Sequence, residues 1–294
     1  MTPHDYDFLR HCLKERSGLV LSADKRYLVE SRLSPLAHKV GFANLRELVE
    51  VLRLGKANAL MTAVVEAMMT HESFFFRDKT PFDHFRATIM PTLVAARRVS
   101  RTIRIWCAAA ATGQEPYSLA MCLKEMEREL TDWRVEVLAT DLSNEVIEKA
   151  QQGIYSQFEV QRGLPIQLLI KYFRQVGDTW QIAPELRAMV RYRQLNLLSD
   201  LSGLGMFDVI FCRNVLIYFD PKTKIDLLDR LARVIAADGY LVLGGAETVV
   251  GLTDSFTVIA EKRGLYAPNS RLRRPPARSA GKSVPHLVAV NGLR

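Results

Sequence analysis

The sequence predicts an α/β fold, a mainly parallel sheet with helical crossovers, preceded by an all-helical amino-terminal domain. Three observations predict it. From residue 102 onward, short apolar runs alternate with stretches of helical periodicity, the pattern of strands joined by right-handed crossovers. Before residue 70, apolar residues recur only at helical spacing. Between them, residues 103–120 pass from an apolar strand through Ala108-Ala109-Ala110-Ala111-Thr112-Gly113 straight into a helix. That is how an open sheet seats a nucleotide-like ligand at the carboxyl end of its first strand.

Each element has its own signal. Tyr6, Phe8, Leu9, Cys12 and Leu13 mark an amphipathic helix that stops near Gly18. Ser22 is a candidate cap for a second helix, about 23–39, with Pro35 inside the pattern as a potential kink. Asn44 caps a third, 45–54, and a fourth runs over 57–69. Residues 70–77, Thr-His-Glu-Ser-Phe-Phe-Phe-Arg, form a hinge. Its three Phe read either as a wedge between domains or as a wedge that also presents Thr70 and Arg77 to a pocket. A helix follows over 83–97. Strands are expected at 102–107, 135–139, 207–211 and 240–243, and helices at 115–130, 144–151 and 222–236, the last stopped by Asp238-Gly239. Residues 256–260 and 264–267 suit a terminal hairpin. Residues 172–182, around Gly177-Asp178, read as two short strands, and with 190–194 as a third they make a small antiparallel subdomain inserted at about 172–194.

Composition narrows the function. The chain has 294 residues, 48% hydrophobic and 24% charged, enough for one substantial domain and a smaller one. Its start is polar, and no apolar run approaches the ~18 residues of a membrane span. Cys12, Cys107, Cys122 and Cys212 lack metal-ligand spacing and read as reduced thiols of a cytoplasmic protein. The six His show no zinc spacing, so no metal is expected. Of the net charge of +8, six units lie in residues 270–294, a Pro- and Ser-containing stretch without acids that reads, from 269, as a disordered basic tail. The remainder is nearly balanced, and no nucleic-acid partner is expected.

The loop after the first strand is neither G-x-G-x-x-G nor a P-loop, since it has one Gly and no following Lys. Small walls, an acid at Glu115 and no phosphate clamp suit a positively charged, phosphate-free adenosyl ligand. Glu115 also reads as a simple helix-start acid. Asp141 ends the second strand, where an acid accepts ribose hydroxyls or merely terminates the strand. Arg213 and Asn214 stand at the carboxyl end of a dense apolar strand, and Tyr218 is either a core aromatic or a substrate-orienting hydroxyl. No G-x-S-x-G is present. A site without an evident tuned base or metal fits transfer of a sulfonium methyl, which needs alignment and desolvation above all.

Five stretches together resemble one family. They are residues 72–78 (ESFFFRD), 112–120 (TGQEPYSLA), 139–143 (ATDLS), 196–198 (NLL) and 211–219 (FCRNVLIYF), in order and spacing across residues 5–268. The chain resembles the chemotaxis receptor methyltransferases, the CheR family of S-adenosylmethionine-dependent protein-glutamate O-methyltransferases. The resemblance implies a helical domain over 1–75 and a class I, Rossmann-like methyltransferase domain over 76–268. It implies that Asp141 holds the ribose, Glu115 lies near the methionyl and sulfonium end, and Asn196 and Leu197 frame the adenine. With Thr70, Arg77, Gly113 and Asn214 these make the expected cofactor-binding set. Arg77, Arg213 and Tyr218 are the expected catalytic residues, with Arg77 or Arg213 steadying the substrate carboxylate. The implied substrate is a set of Glu side chains on the cytoplasmic helices of membrane chemoreceptors, with S-adenosylhomocysteine as by-product. Lys25 and Arg32, with Arg26 adjacent, match basic receptor-docking positions, and charge reversal at Arg32 is expected to spare cofactor affinity. Some members bind a receptor's carboxyl-terminal pentapeptide through a loop in the antiparallel subdomain. The loop is shorter here, so independence of that tether is expected.

Overall fold

The computed structural model describes residues 1–55 and 57–269. The amino-terminal helices form as their caps dictate. Helix α1 (Pro3–Ser17) opens on a capping box, in which Thr2 Oγ1 accepts the Asp5 N–H and Asp5 accepts the Thr2 N–H, and it closes on Gly18 at φ 78°. A Cβ at Gly18 would come within 2.8 Å of the Phe219 ring, so glycine also lets this helix end touch the larger domain. Ser22 does not cap α2 (Arg26–Lys39). Its hydroxyl turns to Asp24 instead, and a 3₁₀ turn, Ala23–Lys25, leads in. Pro35 sits inside α2 without ending it. Asn44 does cap α3 (Leu45–Arg53), accepting the Arg46 and Glu47 N–H groups, and α4 (Asn58–Met68) follows. Leu9, Leu13, Val29, Leu33, Leu48 and Val64 make a fully buried core among these four helices.

The linking helix is less regular than its sequence suggests. It starts early, as α5 (Thr80–His84), passes through a π turn at Phe85–Ile89 and ends as α6 (Met90–Ala96). Pro91 explains the wide turn, because it has no N–H to donate and crowds the turn before it.

The chain then lays down β1 (Thr102–Ala108), α7 (Gln114–Glu125), β2 (Arg134–Asp141) and α8 (Asn144–Gln152). Next come β3 (Ile154–Ser156), α9 (Gln157–Gln161), α10 (Ile166–Tyr172), β4 (Phe173–Val176), β5 (Thr179–Ile182), α11 (Pro184–Ala188) and β6 (Val190–Gln194). It finishes with β7 (Phe207–Cys212), α12 (Pro221–Val234), β8 (Ile235–Leu243), β9 (Phe256–Val258) and β10 (Leu265–Pro268). The main sheet has seven strands in the order β6-β2-β1-β7-β8-β10-β9. Strands β6, β2, β1, β7 and β8 run parallel, while β10 is antiparallel to both neighbours. The chain winds from β1 outward to β6, then crosses back to β7. The order therefore reverses between β1 and β7, and a crevice opens at the carboxyl ends of those strands. Alternate residues of β1 serve the two faces: Ile105 and Cys107 join one buried cluster, Trp106 and Ala108 the other.

Two expectations need correction. Residues 190–194 are not part of the small antiparallel sheet, because β6 pairs in parallel with β2 at the edge of the main sheet. The small sheet is β3-β5-β4, and its third strand is the three-residue β3, too short to announce itself by alternation. Asp238-Gly239 is not a helix stop. Helix α12 runs directly into β8, and the pair forms a bulge between the Phe207 and Val209 pairings. A Cβ on Gly239 would lie 2.7 Å from the Asp208 carbonyl, and Asp238 accepts two hydrogen bonds from Arg97, at 2.6 and 2.7 Å. Asn269 is anchored by its N–H to the Ser255 carbonyl at 2.8 Å, and the rest of the expected basic tail, 270–294, lies outside the described residues.

Candidate functional site

A cleft with about 930 Å³ of empty space, part of it open to solvent, lies at the strand-order reversal. Its floor is the backbone after β1. Ala109 and Ala111 adopt φ of 63° and 48°, so this Ala-rich turn holds a left-handed conformation that Ala rarely takes. Asp141, at the end of β2, braces it. Asp141 Oδ2 accepts the Ala111 N–H at 2.9 Å and Oδ1 accepts the Ser143 N–H at 3.1 Å. A carboxylate has about four acceptor sites. Two remain for hydroxyls in the cleft, which Asp141 lines.

Gly113 lies behind the cleft. At φ 94° it starts α7, and a Cβ there would meet Tyr192 Oη at 2.8 Å, Ala150 Cβ at 2.9 Å and Tyr155 Oη at 3.0 Å. Close packing under the loop calls for glycine there, and Gly113 is not among the residues that line the cleft. Glu115, two residues on, does line the cleft. Burial pushes its carboxyl above the usual carboxylate range, and Arg213 pulls the other way.

Arg213 has a side chain only 1% exposed. Its Nη1 donates to Glu115 Oε2 at 2.7 Å; its Nη2 donates to Asp78 Oδ2 at 2.8 Å and to the Arg77 carbonyl at 2.9 Å. Arg213 still lines the cleft and its Nε is buried without a hydrogen bond, although two acids of the chain already match its charge. It ties the segment before α5 to the start of α7. Arg77 is placed differently. It is half-buried at the cleft wall, and one Nη donates to the Glu72 carbonyl at 2.7 Å. Among the described residues, no acid hydrogen-bonds Arg77, and its other N–H groups make no hydrogen bond.

The three Phe resolve the hinge, since they point three ways. Phe75 is fully buried, edge-on to Tyr155 at 5.0 Å and Phe173 at 5.5 Å. Phe76 packs on Phe82, and its N–H donates to Ser118 Oγ at 2.9 Å. Phe74 lies under the guanidinium groups of Arg77 and Arg162. The wedge thus anchors the segment to α7 and to the small sheet, and leaves Thr70 and Arg77 on the cleft.

Asn196, Leu197, Asn214 and Tyr218 also line the cleft. Asn196 Nδ2 donates to the Arg16 carbonyl at 2.6 Å, so it fastens the end of α1 to this wall. The helical domain closes the cleft on that side, with Ser17 and Leu19 in its lining.

Lys25, Arg26 and Arg32 do not line the cleft, and each has a partner. Lys25 lies 4.0 Å from Asp24 and beside the Tyr27 ring. Arg26 bonds Glu30 at 3.1 Å and the Met1 carbonyl. Arg32 closes the end of α4, donating to the Met69 carbonyl at 3.0 Å and the Met68 carbonyl, and its Nη2 holds Thr70 Oγ1 at 3.0 Å. Because Thr70 lines the cleft, charge reversal at Arg32 cannot be expected to spare it, and that expectation is corrected.

Sequence reasoning missed His71, Ser73 and Glu247. His71 and Ser73 line the cleft, and His71 Nε2 is buried without a hydrogen bond, 3.7 Å from Asp141 Oδ1. A polar atom in that state suits a ligand hydroxyl. The only sequence signal was their place in the hinge. Glu247 follows Gly244-Gly245-Ala246, a glycine pair that marks a backbone crossing.

The CheR methyltransferase all-alpha domain matches residues 4–69, and the CheR methyltransferase SAM binding domain matches residues 71–265. The chain belongs to the CheR methyltransferase family. It is 39% identical to chemotaxis protein methyltransferase 1 of Pseudomonas aeruginosa over 87% of this chain and 94% of that one. It is 38% identical to chemotaxis protein methyltransferase 1 of Vibrio cholerae, over 86% and 92% of the two chains. A chemotaxis protein methyltransferase of Borreliella burgdorferi is 38% identical over 80% of this chain and 84% of its own. As a CheR methyltransferase the chain carries a SAM-binding domain, and its cleft fits that ligand. Asp141 and the unpartnered His71 Nε2 are polar groups of the kind that bind hydroxyls, Glu115 adds an acid shared with Arg213, and Leu197 gives an apolar wall. Among the described residues, no helix is long and apolar enough to cross a membrane.

Proposed function

We propose that this CheR methyltransferase transfers a methyl group from S-adenosylmethionine to glutamate side chains on the cytoplasmic helices of chemoreceptors, giving glutamyl methyl esters and S-adenosylhomocysteine for sensory adaptation. The observation that carries this reading is the contrast between two arginines at one cleft. Arg213 is hydrogen-bonded to both Glu115 and Asp78, while the Arg77 guanidinium lies over Phe74 and hydrogen-bonds a carbonyl, not a carboxylate. A cleft with a cation at its wall that no acid among the described residues hydrogen-bonds suits an anionic nucleophile.

S-adenosylmethionine, when bound, supplies an electrophilic methyl carbon on a sulfonium. Asp141 takes the ribose hydroxyls, Asn196 and Leu197 bound the adenine, and Glu115 faces the cationic end, with Thr70 and Asn214 on the remaining walls. A glutamate carboxylate is ionised near neutral pH and needs no base to become a nucleophile. Arg77 steadies it and strips part of its water, and the Tyr218 hydroxyl orients it. Attack is then a matter of alignment in a site shielded by the helical domain. The product ester removes one negative charge from the receptor helix.

The relatives' names, chemotaxis protein methyltransferase, support the receptor substrate. Such an enzyme works in the cytoplasm beside receptor arrays, with Lys25, Arg26 and the end of α2 toward the receptor. The β4–β5 hairpin turns in two residues, Gly177 and Asp178, which supports independence from a pentapeptide tether. The test is methylation of receptor-containing membranes with labelled S-adenosylmethionine. Alkali-labile label on receptor-sized bands is expected. Label found only on nitrogen, or none on receptors, overturns the reading.

A further inference from the structure

Strand β7 delivers Arg213 and Asn214 to the cleft, and the chain then turns sharply into the 3₁₀ turn Leu216–Tyr218. Three successive N–H groups of that turn converge on one side chain. Glu247 Oε2 accepts the Asn214 N–H at 2.8 Å, and Oε1 accepts those of Val215 at 2.9 Å and Leu216 at 2.7 Å. Oε2 also accepts the Gly244 N–H at 2.8 Å, at the end of β8. Four donors on two oxygens use the full acceptor capacity of a carboxylate. An amide has one acceptor oxygen and would set its own N–H₂ against two of these donors. Glu247 is 8% exposed, and Asn214 sits at φ 59°, a left-handed turn that asparagine tolerates better than other non-glycine residues and that the Glu247 bonds on either side hold in place. Gly244 is part of the same device, because a Cβ there would come within 2.8 Å of both Asn214 Nδ2 and Glu247 Oε2.

We propose that Glu247 is a positioning residue for methyl transfer. It fixes the left-handed turn at Asn214, and so aims the Asn214 side chain and the following Tyr218 at the reacting atoms. The inference rests on the reading of the cleft as a methyl-transfer site, and it adds a residue that does not itself line that cleft. Glu247 lines a second cavity instead, open to solvent, with Gly245, Thr248 and Arg263 among its walls. That opening provides the test. In Glu247→Ala the four N–H groups face a hole that a small carboxylate can reach from solvent.

The full chain is assayed for methyl-ester formation on receptor membranes, with S-adenosylhomocysteine binding measured separately by calorimetry. A misaimed group costs about a hundredfold in rate, so Glu247→Ala is expected to lose that much kcat, with the S-adenosylhomocysteine dissociation constant moved less than about fivefold. Sodium formate at about 100 mM is expected to restore about tenfold of the lost kcat by filling the hole, while sodium chloride at equal ionic strength restores none. Glu247→Gln keeps the volume, loses activity alike and gains nothing from formate; it carries the test if the Ala variant does not fold. Two results overturn the proposal: kcat within about threefold of wild type in either variant, or lost kcat that formate leaves unchanged in an Ala variant that still binds S-adenosylhomocysteine. Failure of the wild-type enzyme to form any ester would instead overturn the function proposed above, and is read from the same assay.

Discussion

Replacing Arg213 by Met tests the buried charge network at the base of the cleft. The substitution keeps much of the apolar volume and removes a guanidinium bonded to Glu115, Asp78 and the Arg77 carbonyl. Breaking a buried ion pair by removing one partner costs about 3–5 kcal/mol, because the other charge is left in a poor solvent. Two features place this case near the lower bound. The Asp78 side chain is 47% exposed, so water screens its share to below about 1 kcal/mol. Glu115 can also escape by taking up a proton, which caps its penalty. A loss of about 3 kcal/mol lowers the melting temperature of a chain this size by about 6–12 °C. The pH dependence identifies the cause. Burial already raises the Glu115 carboxyl, and without Arg213 it rises further. A carboxyl whose folded pKa lies above its unfolded value, about 4.3, costs nothing below that value and destabilises progressively as pH rises toward the folded pKa. The deficit of Arg213→Met is therefore expected to grow with pH, and to be larger near about pH 8 than near about pH 5. Adding Glu115→Gln should recover more than half of it. Thermal melts of wild type, both single variants and the double variant at the two pH values measure this. A deficit equal at both pH values and unrelieved by Glu115→Gln would refute the argument.

Other consequences follow from the same geometry. Asp141→Asn should weaken S-adenosylhomocysteine binding by about 1.5–3 kcal/mol, the range for hydrogen bonds to a charged group, as read by calorimetry. Affinity for the cationic cofactor should fall as pH drops through the raised pKa of Glu115, since a protonated Glu115 must lose its proton to face a cation; Glu115→Gln should flatten that profile. Arg32→Ala should weaken cofactor binding about threefold or more by releasing Thr70, whereas Lys25→Ala should leave it unchanged in the same titration. Calorimetry with a chemoreceptor-type carboxyl-terminal pentapeptide should give no micromolar binding, and a micromolar isotherm would defeat tether independence.

Much of the fold was legible because local signals were strong. Asn44 caps, Gly18 stops a helix, and the strand–loop–helix run that begins at Thr102–Ala108 announces the cleft. What failed was decided by distant partners. Val190–Gln194 has the composition of a strand for either sheet, and only pairing with β2 assigns it. Asp238-Gly239 looks like a helix stop in one dimension. In three it is a bulge whose acid meets Arg97, 141 residues earlier in the chain.

The candidate site divides in the same way. Asn196 and Leu197 came only from the resemblance, whereas Glu115, Asp141, Arg213 and Asn214 were named from the chain alone, because strand ends in a parallel sheet bring their carboxyl-terminal residues to one crevice whatever the details of packing. Their roles were not, because a role depends on which charges have been cancelled. Arg77 and Arg213 are equivalent as letters. Burial between Glu115 and Asp78 makes Arg213 a strut, while Arg77 hydrogen-bonds only a carbonyl among the described residues. Glu247 shows no motif of its own, since its partners are backbone N–H groups that any sequence carries. The sequence by itself determined most of the order of strands and helices and marked several of the side chains that reach the cleft; tertiary structure alone decided which of them are spent on one another, because the energy of a charge depends on its neighbours in space.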